Sequence, residues 1–324
     1  MVIVGAYVQV QTVTIPLLLR IVIVFYVQKM VSLFVQPVEM LYFCRVMKSK
    51  RLLCMMVGLL ALHLVAVHAQ TYVQLTDSAY AAVESDSLSL AAECLKKAVA
   101  LEPGNPANVL LLIDLGSIQH QQGQNLQSVE SYTLALNYKP MAMPVLLARA
   151  AVYLELGNEE KAYVDYCNVL DQNPDNEEAL FFRAYIAVHQ RAYDIARADY
   201  THLLAVNPQH ENGRLGLALL NQKQNRLQEA TEQVGMLVKE YPDNPSYLLA
   251  RADILAQQNL CELALLDFES AQKLDPSDPY IYIARAEVYL QMNRRRNARR
   301  DLDTAVAMGT PRGNLAELYR QCEK

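Results

Sequence analysis

The 324-residue chain has no glycine-rich loop to cradle a phosphate and no nucleophile elbow, so the signatures of nucleotide-binding enzymes and of α/β hydrolases are missing. Tryptophan is absent, and a composition 52% apolar with modest acidity would by itself suggest one or two globular domains. Metal-ligand spacing is missing too. After residue 69 the histidines His120, His189, His202 and His210 are scattered, with no cysteine pair nearby. His189 and His202 read as ordinary helix or turn residues, and no metal or other cofactor is expected. Cysteine is sparse: Cys94, Cys167, Cys261 and Cys322 follow residue 69. An even count in an oxidising compartment invites a disulfide reading, but these four stand far apart in the chain and read as small packing residues.

Acidic side chains fail in one stretch. Residues 1–69 hold a single one, Glu39, among long apolar runs; without that stretch the chain carries 23 basic against 33 acidic side chains, a net charge near minus ten. Such a balance excludes general nucleic-acid binding, which needs positive charge to displace counterions from phosphates.

Within the same stretch, 47–70 has the layout of a secretory signal peptide: Lys48, Lys50 and Arg51, an uncharged run over 52–67, then the small pair Val67 and Ala69. The alternative is an uncleaved membrane anchor, although sixteen apolar residues fall just short of the roughly 17 to 25 that span a bilayer core. Cys54 stands at the beginning of the apolar run rather than at its end, which does not suit lipid attachment. Residues 1–46 form an apolar extension in front of a signal that works from a true amino terminus. The expected reading is that translation begins at Met47 and that 1–46 is not part of the true protein. The alternative is a membrane segment around 17–35, in which Arg20 and Lys29 would be costly.

What the remainder does have is a beat. Pro140, Pro174, Pro208, Pro242 and Pro276 follow one another at 34 residues, with Pro103 37 residues before the first and Pro311 35 after the last. A small residue keeps the same time at Ala91, Ser128, Ala162, Ala196, Ala230, Ala264 and Ala298. In 143–176, Leu146, Ala150 and Tyr153 share one helical face, and Gly157 and Asn158 break the helix. Ala162, Tyr166, Val169 and Leu170 mark a second helix, which ends at Asn173 before Pro174. Two short helices cannot bury both apolar faces alone, so the units must stack. The array covers 70–312 as units 72–108, 109–142, 143–176, 177–210, 211–244, 245–278 and 279–312, with a capping helix at 313–324.

In this pattern the chain resembles the tetratricopeptide repeat, to which Leu115, Gly116, Gly123, Tyr132, Ala135 and Pro140 of the second unit correspond closely. The unit 211–244 departs most, with Asn221 and Val234 where aromatics are usual. The resemblance implies an all-α, right-handed superhelical solenoid of about seven helix-turn-helix repeats. It also implies a concave groove lined by the second, fifth, ninth, twelfth and thirteenth residues of each first helix. The partner-binding candidates on that floor are Leu147 and Leu154, then Phe181, Tyr185 and Val188, then Tyr280, Ile283 and Leu290.

An apolar floor with aromatic anchors suits a protein or peptide segment. Family members that hold chaperone tails clamp a terminal carboxylate with lysine, asparagine and arginine, whereas the fifth and ninth places here are Ile113 and Ser117, Leu147 and Ala151, Phe181 and Tyr185. The clamp is absent. The repeats take 241 of the 255 residues after Ala69, which leaves no room for a catalytic domain. The expected protein is a non-catalytic interaction scaffold exported to the periplasm or cell envelope; the alternative is a structural subunit anchored in a membrane through residues 1–69.

Two charge regularities remain. Arg149, Arg183, Arg251 and Arg285 occupy the seventh place of four units, and the same four carry Asp165, Asp199, Asp267 and Asp301 at the twenty-third. This co-occurrence implies an ion pair within each unit. Arg294, Arg295, Arg296, Arg299 and Arg300 crowd the turn and second helix of the last unit, at the end where the macrodipole disfavours cations. They read either as a solvated turn partly neutralised by Asp301 and Asp303, or as a patch for an acidic partner or anionic membrane surface.

Overall fold

A computed structural model describes residues 71–323; the expected signal or anchor segment and the extension before it lie outside the described residues. The chain divides into two compact units at Asn105. In the first, α1 (71–84) turns at Asp86 into α2 (Leu88–Leu101), with Ala79, Ala82, Ala91, Leu95 and Ala98 buried.

The second unit is a stack of helix pairs. These are α3 (Asn108–Gln121) with α4 (Asn125–Tyr138), α5 (Met143–Glu155) with α6 (Glu159–Gln172), and α7 (Glu177–His189) with α8 (Tyr193–Val206). There follow α9 (Glu211–Lys223) with α10 (Leu227–Glu240), α11 (Pro245–Gln257) with α12 (Cys261–Leu274), and α13 (Pro279–Gln291) with α14 (Arg295–Ala307). A short 3-10 turn (Arg312–Leu315) and α15 (Ala316–Glu323) close the stack. From α5 onward the first helices start 34 residues apart. Each pair packs on the next, and α3 touches α5, α7 touches α9, α9 touches α11 and α11 touches α13. First helices therefore share one side of the stack and second helices the other, as an all-α solenoid requires.

Local chemistry sets each turn. Gly123, Gly157, Arg191, Asn225, Asn259 and Asn293 take positive φ at one repeated place between paired helices. The left-handed residue lets the next amide reach back to an orphan carbonyl, as in Asn158 N–H to Tyr153 at 2.8 Å and Ala192 N–H to Ala187 at 2.8 Å. On the return, the Asn176 side chain accepts from the Ala179 amide at 2.8 Å and caps α7.

Small residues then allow close helix crossings. Ala150, Ala184, Ala218, Ala252 and Ala286 of the first helices are fully buried, as are Ala162, Ala196, Ala230, Ala264 and Ala298 of the second. The aberrant unit closes by polar means: buried Asn221 donates to Gln233 at 2.9 Å and accepts from Arg197 at 2.7 Å, while Val234 packs with Leu237, Tyr247 and Ile254.

The four arginine–aspartate pairs form as the co-occurrence implies. Each guanidinium presents Nε and Nη2 to both oxygens of its aspartate, as with Arg183 and Asp199 at 2.8 and 2.7 Å. The remaining nitrogen adds what the pattern did not suggest, because it reaches back to the preceding unit. Arg149 Nη1 donates to Thr133 at 3.0 Å, Arg285 Nη1 to Gln272 at 2.6 Å, and Arg183 Nη1 lies 3.7 Å from the Cys167 sulfur. Each such arginine fastens three helices. Before Arg251 the place held by Thr133 and Cys167 is Gly235, which has no side chain to offer.

Cys94, Cys167, Cys261 and Cys322 are free thiols, the first buried and the others half-buried. Among the described residues no helix is long and apolar enough to cross a membrane.

Candidate partner-binding surfaces

The first-helix side of the stack brings the expected floor residues onto one surface with unequal freedom. Leu147, Leu154, Val188, Ile283 and Leu290 are half-buried, so part of each apolar side chain meets solvent and part seals the neighbouring helix. Tyr185 and Tyr280 stand out most, at 41% and 47% exposure. Phe181 is held from several sides: its ring meets Phe182 at 5.1 Å, His210 at 5.7 Å and Tyr200 at 6.2 Å. It is more a seal than an anchor.

Polar contacts tie the same surface together, and the register gave no sign of them. His120 Nε2 lies 2.8 Å from the Glu155 carboxylate, and His189 Nδ1 lies 2.7 Å from Glu159 while its ring sits 4.2 Å from that of Tyr185. Among the described residues no cluster of three His, Cys, Asp or Glu side chains could hold a metal. Towards the carboxyl end the floor becomes acidic. The Tyr280 hydroxyl donates to Asp253 at 2.7 Å. Burial raises the Asp253 carboxyl above its ordinary range against the opposing pull of that bond, and burial together with the Asp253 charge raises Glu287. Asp253 and Glu287 hold the ninth place of their units, which is the signal by which the sequence could have disclosed them.

The arginine cluster is less uniform than its spacing suggests. Arg294 forms an ion pair with Glu262 of the preceding pair. Of the two carboxylates that spacing offered for neutralisation, Asp301 is buried against Arg285 at 2.6 Å, while Asp303 stays exposed and charged and accepts from the Tyr319 hydroxyl at 2.7 Å. One carboxylate cannot face two ways, and the helix turns Asp301 inward. Arg295, Arg296, Arg299 and Arg300 are exposed, and α14 has no acidic residue in its first turn.

The family profile described as tetratricopeptide repeat matches residues 187–254. A solved tetratricopeptide repeat protein from Parabacteroides merdae is 31% identical over 79% of this chain and 100% of its own, with a TM-score of 0.67. The pilF protein of Pseudomonas aeruginosa is 18% identical, with 67% of this chain and 97% of its own covered and a TM-score of 0.53. Cut9–Hcn1, a hetero-tetramer of the APC/C, is 12% identical, with 74% and 55% covered and a TM-score of 0.56. At those identities the last two share the fold alone. A search of curated proteins gives no sequence match.

Proposed function

Because the chain belongs to the tetratricopeptide-repeat family, we infer that it is a non-catalytic scaffold that holds a segment of another protein along its first-helix face. One observation carries this reading: half-buried apolar side chains recur at matching places of successive first helices, with Tyr185 and Tyr280 projecting beyond them. Such a floor gives apolar anchoring without a deep pocket, which suits an extended or helical segment. The desolvated carboxyls of Asp253 and Glu287 oppose a ligand that ends in a carboxylate, so a chaperone-tail ligand is disfavoured on charge as well as on the missing clamp. In the solved Cut9–Hcn1 assembly a protein of this fold stands in a hetero-tetramer, which agrees with a protein as the partner.

The test is site-specific photocrosslinking in the native host. A crosslinker at Tyr185 should capture a defined protein, and one at Val164 on the second-helix side should not. Capture at Val164 and not at Tyr185 would overturn the assignment of the groove.

Export to the periplasm or cell envelope belongs to the same proposal and is supported by the signal-like layout of 47–70. The second reading, a subunit anchored in a membrane, is favoured by the same apolar run if it is retained. Amino-terminal sequencing of the purified protein decides between them: a start at Gln70 supports export with cleavage, and retention of 52–67 supports the anchor.

A further inference from the structure

On the side away from the groove, the last two helix pairs leave three features together. The first is an apolar stripe on α12, where Leu263, Leu266 and Leu274 are 50%, 58% and 41% exposed. Their spacing, with Ser270 between, confines them to a narrow strip along the helix, the arrangement of a seam for a second helix. The second feature is a cleft of about 600 Å³ between α12, α13 and α14, with Lys273 on one wall, Arg300 on the other and Tyr282 and Tyr289 within. Lys273 and Arg300 make no ion pair among the described residues, and the cleft ends on the closed Arg285–Asp301 pair. The third is the basic start of α14, where Arg296 stands one turn before Arg300 on the same side of the helix.

Leucines and Lys273 on α12, facing Arg296 and Arg300 on α14, define a partner rather than merely a sticky surface. We propose that this cleft docks an acidic amphipathic helix of another protein, its apolar face along Leu263, Leu266 and Leu274 and its carboxylates towards Lys273, Arg296 and Arg300. The charge is complementary, since the chain after residue 69 is acidic and this is its basic exception. A cleft admits side chains, which a flat lipid surface would leave unfilled. The site is separate from the first-helix groove, so its fate does not depend on that of the proposed groove ligand. Together the two faces would let one scaffold join two proteins.

The test uses the full chain and a synthetic peptide probe: a helix with a leucine seam at three and four residue spacing, flanked by glutamates and carrying a fluorophore. Anisotropy should report binding that falls as salt rises. Arg296→Glu with Arg300→Glu should weaken it roughly tenfold or more, and so should Leu263→Ser with Leu266→Ser; Tyr185→Ala in the groove should change nothing. All four altered side chains are exposed, and unchanged helicity with melting no lower than the parent's would show that the variants are folded. A scrambled peptide of equal composition binding as tightly would reduce the effect to bulk charge and overturn the proposal. So would unchanged binding in either double variant, tighter capture by phosphatidylglycerol vesicles lost in the arginine variant, or self-association of the free chain abolished by the leucine variant.

Discussion

The four arginine–aspartate braces make an internally controlled series, because geometry is nearly constant and burial is not. Side-chain exposure of the arginine and the aspartate is 7% and 2% for Arg285–Asp301, 16% and 2% for Arg149–Asp165, 23% and 6% for Arg183–Asp199, and 28% and 9% for Arg251–Asp267. Replacing each aspartate by asparagine keeps its size and leaves the guanidinium without a counter-charge. A stranded charge in a buried site costs about 3 to 5 kcal/mol, while an exposed pair contributes only about 0.2 to 1 kcal/mol. Asp301→Asn should then cost about 3 kcal/mol at the least-exposed pair, and Asp267→Asn about 1 to 2 kcal/mol, between the two limits. Asp165→Asn and Asp199→Asn should fall between them in that order. Because the last pair of a stack can open alone, urea unfolding should be read beside amide hydrogen exchange in α13 and α14. Equal losses at all four sites, or the reverse order, would refute the reasoning. A second check is the joint replacement Arg251→Met with Asp267→Leu, which should cost less than Asp267→Asn because no charge is stranded.

Four further outcomes follow from single positions. The Tyr166 hydroxyl is buried without a hydrogen-bond partner among the described residues, and Phe268 fills the same repeat position fully buried; Tyr166→Phe should raise stability by about 1 kcal/mol in urea unfolding. Arg191 holds φ at 59° where later units use asparagine, so Arg191→Asn should add up to about 1 kcal/mol in the same measurement. Gly235 lies inside α10 with nothing within 4 Å of an added Cβ, and Gly235→Ala should raise stability by about 0.5 to 1 kcal/mol. Asp253 has a raised carboxyl in the fold, so its protonated form contributes stability at acid pH that is lost as pH rises through the raised value. Asp253→Asn should therefore flatten the fall in melting temperature with rising pH across and above the ordinary carboxylate range.

Much of the fold could be read from the sequence because each repeat carries its own stop signals. Asn173 before Pro174 and the left-handed Gly157 act within a few residues, and small residues at fixed places mark the close helix crossings. The braces were readable for another reason: arginine and aspartate appear together or not at all. Arg191 was harder, since nothing in an arginine announces positive φ and only the beat of neighbouring units places it. The third contact of each arginine was not readable, because Thr133, Cys167 and Gln272 belong to the preceding unit and vary in kind and place.

The two candidate surfaces divide along the same line. The register tells which side chains stand on the first-helix face, and Tyr185 and Tyr280 are indeed open there, but whether a ring is free depends on what the next unit brings. For Phe181 it is His210, the cap of the next helix at the unit boundary, that occupies the ring. At the arginine cluster, spacing alone offered Asp301 and Asp303 as neutralising neighbours, although Asp301 was already required by Arg285. Asp301 is buried and turned with both oxygens towards Arg285, which takes it off the exposed face of the cluster. Arg294 pairs with Glu262, and among the described residues Arg295, Arg296, Arg299 and Arg300 form no ion pair. A helix start that keeps four exposed cations against its own dipole accepts a cost of about 0.3 to 1 kcal/mol for each one in the first turn. Removing that cost by charge reversal should make the isolated chain more stable, so the variant that loses the acidic helix should also be the one that melts higher.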